Sequence, residues 1–474
     1  MLNLPEAGFH TMRLFEILLL IVLLVPLLWL LVSRKRPHWL LIFPGLATLF
    51  VALHFAFEGY RWQMIPAYGL TAVFFLLALR WRNPNFQAPR LAWLGGLLGL
   101  LLWLVALALS VAMPVPTLPA TTGPYAVGTF TTYLVDENRP EIYTEDPNDS
   151  RELVAQVWYP AANRDGEPAD YLPDLEIAGP VIAEQFGLPS FLVNHVNLTE
   201  LDIWQDVPAA DGTPFPVIVF SHGLTGIRMQ NTTMVRELVS HGYVVIAPEH
   251  SYADAITIFP DGRIFVYDPA RIFPSGDSNA TEAKPLVQTW ADDIGFLLDT
   301  MAGWNEEAGH VLNGRLNLNQ VGVFGHSTGG GATVQFCLQD SRCKAGVGLD
   351  SWLLPVNDSV LDAGPGQPFM FISTPRWLGP ENQARGQAIF HNLTADGYEL
   401  TLANTQHYDF TDLALLSPLT PQLGLSGSIN SAYSLSIQNE YLLAFFEQYL
   451  RERPSATLTT PSPYPELSIE RTVK

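Results

Sequence analysis

The chain has 474 residues, of which 48% are hydrophobic, and it carries 46 acidic against 25 basic side chains, a formal net charge of -21 at pH 7. This length allows more than one domain, and the acidic excess excludes a protein that binds nucleic acid through a basic surface. The excess is uneven, because the first 113 residues hold three acidic and eight basic side chains and the rest holds 43 acidic and 17 basic ones. The two parts are therefore expected to lie in different surroundings.

Four apolar stretches occupy the first part, and each is close to the roughly 17 to 25 residues that cross a bilayer as a helix. They cover residues 14–33, 39–57, 64–79 and 91–113. A cleaved signal peptide would account for the first stretch alone. We therefore predict an N-terminal bundle of four transmembrane helices over residues 1–113, which makes the chain a multi-pass integral membrane protein.

The loops between these helices predict their orientation, because cytoplasmic loops retain lysine and arginine. Six basic residues lie in the first and third loops, namely Arg34, Lys35, Arg36, Arg80, Arg82 and Arg90. The second loop has Arg61 beside Glu58. This pattern places everything after Met113 outside the cytoplasm. The alternative, a cytoplasmic location with three or five spans, stays open because the third stretch is the weakest.

Short β-rich runs alternate with helical ones between residues 125 and 453. The predicted strands are 152–159, 215–220, 243–247, 320–324, 345–349, 368–373 and 398–403, and the predicted helices are 232–241, 287–302, 330–339 and 434–450. Several strands are continuously apolar, which implies burial on both faces and hence a mostly parallel sheet covered by helices. The sequence therefore predicts one α/β domain over residues 125–453.

Two segments flank this domain. Residues 114–124 read PVPTLPATTGP, a proline-rich run that is typical of an extended linker. Residues 454–474 contain four prolines together with serine and threonine, and we expect a disordered tail there.

The most informative motif is Gly325-His-Ser-Thr-Gly329, which follows the apolar run Val321–Phe324 and precedes Gly330 and Gly331. In a nucleophile elbow the turn between strand and helix is so tight that glycine is needed on both sides of the serine. Because the short pattern also occurs by chance, the strand before it and the small residues after it carry the interpretation. We predict that Ser327 is a nucleophile.

A carboxylate partner for this serine is expected at the carboxyl end of a strand, where parallel sheets bind their ligands. Asp350 is the first polar residue after the apolar strand 345–349. A buried carboxylate there would orient a histidine and stabilise its imidazolium form. The alternative, an aspartate that caps a turn or helix, fits Asp358 or Asp362 better.

The chain offers 11 histidines as the general base, so position decides. His407 follows the last predicted strand and precedes the terminal helix, which gives the order Ser, Asp, His that is typical of the α/β-hydrolase fold. His391 precedes that strand and would lie on the wrong side of it.

Acyl transfer also needs donors for the oxyanion. The loop Phe220–Gly226 follows an apolar strand, at the point where this fold carries its first backbone donor. We therefore predict an oxyanion hole made of the backbone N–H groups of Leu224 and Thr328. The alternative is that the glycines of this loop merely close a turn.

Three further side chains are predicted to line a substrate pocket. His222 ends an early strand, His326 belongs to the elbow, and Trp352 follows Asp350 closely. The insert 251–288 contains two short strands about an Asp-Gly turn. Together with residues 173–204, the insert could form a lid, and a surface hairpin far from the pocket is the alternative.

Cofactor motifs are not found in the sequence. The two cysteines, Cys337 and Cys343, lack the spacing of a metal site, and outside the cytoplasm they could close a small disulfide. The sequence contains neither a phosphate-binding loop of the GxxxxGK[ST] type nor an HExxH motif. We expect no cofactor and no metal.

Taken together, these motifs resemble the plasma-type platelet-activating factor acetylhydrolases, a lipase-like branch of the α/β-hydrolases. The matching pieces are Val157–Pro160, Val219–Leu224, Pro248–His250, Gly325–Gly330, Gly348–Trp352 and His407 with Phe410 and Asp412. The resemblance covers residues 123–450. It implies hydrolysis of short or oxidised acyl groups from the sn-2 position of phospholipids without a metal. It also makes Ser327, Asp350 and His407 the catalytic residues and assigns the oxyanion hole to Leu224 and Thr328.

The chain departs from this family pattern in two places. Thr328 stands where the family typically has a larger apolar residue, and membrane helices replace the secretory leader. The first departure changes the pocket wall and bears on the acyl-chain preference, and the second suggests a bacterial relative. We expect the catalytic domain to lie outside the cell membrane and to act on a lipid or small ester. A broad-specificity carboxylesterase or a cutinase-like polyester hydrolase is the main alternative. A membrane sensor whose outer domain binds a ligand without turnover is a further one.

Overall fold

The computed structural model describes residues 12–33, 37–81, 92–276, 278–359 and 364–474. It consists of two compact units. The first contains Met1–Thr117, Asp174–Glu200 and Leu415–Leu419, and the second contains Leu118–Pro173, Leu201–Ala414 and Thr420–Lys474.

The first unit is built on four apolar helices, α1 (Leu14–Val32), α2 (Ile42–Phe57), α3 (Ile65–Trp81) and α4 (Ala92–Ala112). Each of them, taken with the short 3-10 turn that precedes α2 and α3, is 19 to 21 residues long and apolar enough to cross a membrane. The four predicted helices are thus present, and their insertion in a bilayer stays a prediction. Of the basic loop residues used to predict orientation, Arg34, Lys35, Arg36, Arg82 and Arg90 lie outside the described residues.

A buried polar network joins these helices. The Arg61 guanidinium donates to Glu16 Oε2 on α1 at 2.7 Å and to the Ser110 carbonyl oxygen on α4 at 3.1 Å. The first unit also holds α5 (Leu175–Gln185), and the Phe191 ring beyond it lies 4.9 Å from that of Trp62. The segment 174–200, predicted as part of a lid, therefore packs within the helical unit.

The second unit is organised around one large sheet. Its strands are β1 (Ala126–Pro140), β2 (Ser150–Ala161), β3 (Ile203–Gln205), β4 (Phe215–Ser221), β5 (Val244–Glu249), β8 (Leu316–His326), β9 (Cys343–Leu349), β10 (Phe369–Ser373), β11 (Gly397–Leu402) and β12 (Leu467–Thr472). They lie in the order β12-β11-β10-β9-β8-β4-β5-β2-β1-β3. The strands from β5 to β11 in this order run parallel, and β2 and β12 flank them antiparallel. This mixed α/β architecture agrees with the predicted fold class.

The helices of this unit are α6 (Thr232–Ser240), α7 (Pro269–Ile272), α8 (Ala283–Glu306), α9 (Thr328–Gln339), α10 (Gly379–Asn392), α11 (Ser431–Arg451) and α12 (Ala456–Thr459). They cover both faces of the sheet. On one face, Val321 and Val323 of β8 belong to a core cluster with residues of α8 and α9. On the other face, the ring of Phe324 packs against Phe446 of α11, with ring centroids 6.4 Å apart. Two-sided burial explains why the central strands are continuously apolar.

The seven predicted strands and the four predicted helices of this unit are all present within a few residues of their predicted ends. The prediction of a disordered tail is wrong. Residues 467–472 form β12, which pairs with β11 from Gly397↔Thr472 to Leu402↔Leu467. A tail strand at this position covers the edge of β11, which would otherwise expose unpaired backbone groups.

The insert forms the predicted hairpin, with β6 (Ile256–Ile258) antiparallel to β7 (Ile264–Val266). Its tip packs beside β1 and β2. The Phe259 ring lies 5.8 Å from Tyr133, and Arg263 pairs with Glu152 at 2.7 Å. These contacts support the surface-hairpin alternative over the lid.

Candidate active site

The predicted nucleophile lies in a sharp turn between β8 and α9. Ser327 has φ 55° and ψ −116°, a backbone conformation in the region that favours glycine. A Cβ on Gly329 would lie 2.1 Å from the Ser221 carbonyl oxygen, and one on Gly325 would lie 2.3 Å from the Gly329 carbonyl oxygen. Glycine is therefore required on both sides of the serine, as the elbow motif predicts.

The structure brings the predicted acid and base together. Asp350 follows β9 and His407 follows β11, so both lie beyond the carboxyl ends of parallel strands. His407 Nδ1 is 2.7 Å from Asp350 Oδ2, and the backbone N–H of Thr374 donates to Asp350 Oδ1 at 2.9 Å. The carboxylate thus accepts from Nδ1, which leaves Nε2 as the proton acceptor of the ring.

Burial sets the charge state of this pair. It lowers the pKa of His407 to about 3, so the ring is neutral in the resting protein and can take up a proton. Burial also raises the pKa of Asp350, and the N–H of Thr374 opposes that rise. His407 is therefore a neutral base at rest, and its imidazolium form arises when the ring takes up a proton during a reaction.

Two rings pack against the imidazole of His407. The Trp377 indole is stacked on it with ring centroids 3.4 Å apart, and His326 lies at 4.3 Å on a tilted plane. His326 Nε2 donates to the His407 carbonyl oxygen at 3.2 Å, and its Nδ1 accepts from Gln230 Nε2 at 2.9 Å. Since His326 is 2% exposed, the prediction that it lines the pocket is wrong, and it supports the His407 loop instead.

The loop after β4 lies close to the elbow. A Cβ on Gly223 would be 3.2 Å from Ser327 Cβ, so the Gly223 backbone lies close to the serine side chain. Leu224 follows Gly223 in this turn, and Thr328 is the first residue of α9. Neither of their N–H groups finds an acceptor among the residues that the structure describes. Both predicted donors are therefore available to a ligand.

His222 is fully buried, so the prediction that it lines the pocket is also wrong. Its Nδ1 is 2.7 Å from the Gly223 carbonyl oxygen, and its Nε2 accepts from the backbone N–H of His250 at 3.2 Å. The Trp352 side chain is half-buried, and the backbone N–H of Trp352 donates to the Ser327 carbonyl oxygen at 2.8 Å. Contact between Trp352 and a substrate stays a prediction.

A cleft of about 540 Å³ opens beside His407. Its walls come from residues 374–377, 405–408 and 424–425, and Pro375, Trp377 and Leu425 make them partly apolar. The sequence reasoning missed Trp377 and Thr374. The only available signal was their position just after β10, at the same sheet edge as Asp350.

One cluster of the described part of the chain has the chemistry of metal ligands, and it lies in the first unit. The ligand atoms of Glu16, His54 and Glu58 are all within 4.8 Å of one another. Arg13 and Arg61 pair with Glu16 at 2.9 and 2.7 Å. Because these guanidinium groups already neutralise the carboxylate, we assign the cluster to helix packing.

In the second unit the structure joins Cys337 and Cys343 in a disulfide with their Cα atoms 5.1 Å apart.

Comparison with known families decides the identity of the chain. The model of the family "Platelet-activating factor acetylhydrolase, isoform II" matches residues 111–261 and 305–455. The chain belongs to this family. The membership confirms the resemblance drawn from the motifs, and it makes the chain an ester hydrolase of the α/β-hydrolase superfamily.

The relatives and the solved structure to which this acetylhydrolase family member is similar are acetylhydrolases or esterases by name. A platelet-activating factor acetylhydrolase of Cavia porcellus is 26% identical in an alignment of 363 positions, which covers 70% of this chain and 78% of the relative. A probable 1-alkyl-2-acetylglycerophosphocholine esterase of Arthroderma benhamiae is 24% identical in an alignment that covers 54% of this chain and 66% of that relative. Among solved structures, a ferulic acid esterase from Streptomyces cinnamoneus superposes with a TM-score of 0.61 and 27% identity, covering 75% of this chain and 99% of that one.

Proposed function

We propose that this protein is a membrane-anchored serine esterase that removes short or oxidised sn-2 acyl groups from phospholipids through an acyl-enzyme. The observation that carries the proposal is the hydrogen bond of 2.7 Å between Asp350 and His407 at the sheet edge where Ser327 occupies a nucleophile elbow. An acid and a base held in this way activate a serine hydroxyl.

The first half of the reaction forms the acyl-enzyme. His407 Nε2 takes the proton of Ser327 Oγ while that oxygen attacks the ester carbonyl carbon. Asp350 holds the ring and stabilises the imidazolium. The carbonyl oxygen becomes an oxyanion that accepts from the N–H groups of Leu224 and Thr328. The intermediate then collapses, and His407 returns the proton to the departing alcohol oxygen.

The second half releases the acid. His407 takes a proton from water, whose oxygen attacks the acyl carbon, and the same two N–H groups hold the second oxyanion. The bond to Ser327 Oγ breaks, and His407 returns the proton to that oxygen. His407 thus ends each half-reaction neutral, because it passes on the one proton that it took up.

The phospholipid substrate rests on the relatives' names and on the cleft. Relatives at 24% to 26% identity are named for the hydrolysis of platelet-activating factor and of 1-alkyl-2-acetylglycerophosphocholine. The cleft of about 540 Å³ is large enough for a short acyl chain rather than two long ones. Pro375, Trp377 and Leu425 give it the apolar wall that such a chain requires.

Membrane anchoring rests on the four apolar helices, which would keep the second unit close to lipid. The disulfide between Cys337 and Cys343 supports a location outside the cytoplasm, since disulfides persist in oxidising compartments. Retention of the protein in membranes after an alkaline carbonate wash tests the anchoring. Cleavage of the second unit by protease added to intact cells tests the sidedness. Release by carbonate, or full protection from protease, would contradict the respective claim.

A broad carboxylesterase is the second candidate. The ferulic acid esterase favours it, because the alignment covers 99% of that chain at 27% identity. A sensor without turnover is set aside because the chain belongs to a family of ester hydrolases.

The test uses the full-length protein in detergent, with Ser327→Ala and, as a matched control, Ser341→Ala at an exposed position beyond α9. Each is assayed on a 1-alkyl-2-acetyl phospholipid, on p-nitrophenyl acetate and on methyl ferulate. We expect phospholipid hydrolysis that Ser327→Ala abolishes and Ser341→Ala leaves unchanged. Serine-dependent hydrolysis of the two simple esters alone would favour the carboxylesterase. Unchanged turnover in Ser327→Ala would refute the mechanism.

A further inference from the structure

The orientation of the proposed oxyanion donor depends on the peptide between Gly223 and Leu224. In a planar trans peptide the C=O and the N–H point to opposite sides. The Gly223 carbonyl oxygen receives two hydrogen bonds, from His222 Nδ1 at 2.7 Å and from the Gly226 N–H at 2.8 Å. The Leu224 N–H therefore points away from both donors, and it has no acceptor among the described residues.

His222 can donate to the Gly223 carbonyl oxygen in only one tautomer. Its Nδ1 faces a carbonyl oxygen and must carry the proton, while its Nε2 accepts from the His250 backbone N–H at 3.2 Å. A proton on Nε2 would face that N–H directly. Burial also lowers the pKa of His222 well below the ordinary range, which keeps the ring neutral. The donor on the Gly223 carbonyl is thus fixed by the protein interior.

Behind His222 lies a second set of serine, histidine and aspartate. Ser221 Oγ is 2.8 Å from His250 Nε2, and His250 Nδ1 is 2.8 Å from Asp293 Oδ2. Arg151 pairs with Asp293 at 2.7 Å, so the aspartate is a carboxylate and accepts from Nδ1. His250 Nε2 consequently accepts from the Ser221 hydroxyl.

This second set has no opening to substrate. Ser221 and His250 are 0% exposed, and so is Asp293. The His250 ring is stacked on Trp290 with centroids 4.1 Å apart and planes 6° apart, which prevents it from turning. The set therefore cannot act as another catalytic triad. It holds the end of β4 to the end of β5, where the oxyanion loop begins.

We propose that His222 is a positioning residue of the active site, which aims the Leu224 N–H at the oxyanion through the Gly223 carbonyl, and that Ser221, His250 and Asp293 hold it in place. This inference rests on the proposed serine mechanism. It predicts a loss of transition-state stabilisation without a loss of substrate binding, because the donor acts on an oxygen whose charge develops only during attack.

The decisive comparison is His222→Leu against His222→Asn in the full-length protein. Leucine fills the site but cannot donate, whereas the asparagine amide nitrogen can lie near the position of Nδ1 and donate to the Gly223 carbonyl. For p-nitrophenyl acetate we expect His222→Leu to lower kcat by about 10- to 100-fold with KM nearly unchanged, and His222→Asn to recover most of that loss. Each rate is divided by the concentration of active sites, which is measured by complete titration with a fluorophosphonate. Unfolded protein is thereby excluded from kcat.

A second readout uses a trifluoromethyl ketone, which adds to the serine as a hemiketal oxyanion. Its inhibition constant should rise across the variants by the factor by which kcat/KM falls. If His222→Leu does not fold, Ser221→Ala removes only the hydroxyl that donates to His250, and it should lower kcat severalfold with KM unchanged.

The outcomes separate the two proposals. Equal kcat in wild type and His222→Leu, or an equal fall in His222→Leu and His222→Asn, would overturn the positioning role alone. An unchanged kcat in Ser221→Ala would overturn the part assigned to the buried set. Wild-type turnover in Ser327→Ala would overturn the serine mechanism and this inference with it.

Discussion

Replacement of Asp350 by asparagine gives the sharpest quantitative prediction. Asp350 Oδ1 accepts from the Thr374 N–H at 2.9 Å, and Oδ2 faces His407 Nδ1 at 2.7 Å. In Asp350→Asn the amide oxygen must stay with Thr374, because an NH₂ group there would face another N–H. The amide nitrogen then donates to His407 Nδ1 and drives the ring proton to Nε2.

A ring that carries its proton on Nε2 cannot take up another from Ser327. The wrong tautomer costs about 10⁴-fold in turnover in triads of this kind, which corresponds to about 5.5 kcal/mol in the activation free energy. Stability should not fall with it. Since burial raises the pKa of Asp350, the charged carboxylate is costly in the folded protein at neutral pH, and a neutral amide removes that cost.

The assay is kcat/KM for p-nitrophenyl acetate at pH 7.5, together with the melting temperature of each variant. Asp358→Asn is the matched control, because it makes the same change at an aspartate whose side chain is 68% exposed beside Lys284. We expect a loss of about 10⁴-fold in Asp350→Asn, none in Asp358→Asn and no drop in melting temperature. Retention of a tenth of the activity by Asp350→Asn would refute the tautomer argument.

Further predictions concern the pH profile, the elbow and the tail. Because burial lowers the pKa of His407, the ring stays unprotonated as the pH falls. The acid limb of the pH profile of kcat/KM should therefore lie below pH 6.5, and a limb centred above that value would contradict the prediction. Gly329→Ala would place a Cβ 2.1 Å from a carbonyl oxygen and should abolish activity, whereas Gly303→Ala, with nothing within 4 Å, should leave kcat unchanged. Activity that survives in Gly329→Ala would argue against the packed elbow. Deletion of residues 454–474 exposes the edge of β11. It should lower the melting temperature and promote aggregation, which light scattering on heating would show. An unchanged melting temperature would contradict the role given to β12.

The central sheet was accessible to sequence reasoning because both faces of its strands are buried. In β8 the residues Val321 and Val323 face one helical layer and Phe324 faces the other, so the whole run is apolar and stands out. The elbow was equally visible, since only glycine fits at Gly325 and Gly329. Local steric demands of this kind leave a mark at fixed spacing.

The prediction of a disordered tail was wrong because it rested on amino-acid composition, which does not show that a segment pairs with a strand far away in the sequence. Its prolines suggested disorder, yet Leu467 and Ile469 alternate with exposed residues and pair with β11, about 70 residues earlier in the chain. The alternation was present in the sequence as a weak signal. The exposed edge of β11 that gives it meaning follows only from the tertiary fold.

The histidines show the same limit at the active site. His222 and His326 stand at strand ends that meet at the site, which suggested pocket walls. Their partners are backbone groups, the Gly223 carbonyl oxygen for one ring and the His407 carbonyl oxygen for the other. Whether a side chain at such a position turns toward the cleft or toward the interior depends on these partners, which spacing along the chain does not specify.

The acyl-enzyme at Ser327 is the central claim, and its direct test is rapid acid quenching of the full-length protein after mixing with a 1-alkyl-2-acetyl phospholipid, followed by peptide mass spectrometry. The proposal predicts a transient acetyl group on the peptide that contains Ser327, formed and lost at rates that account for turnover. Hydrolysis of the phospholipid with no acetyl group on Ser327, or with the acetyl group on another residue, would contradict it.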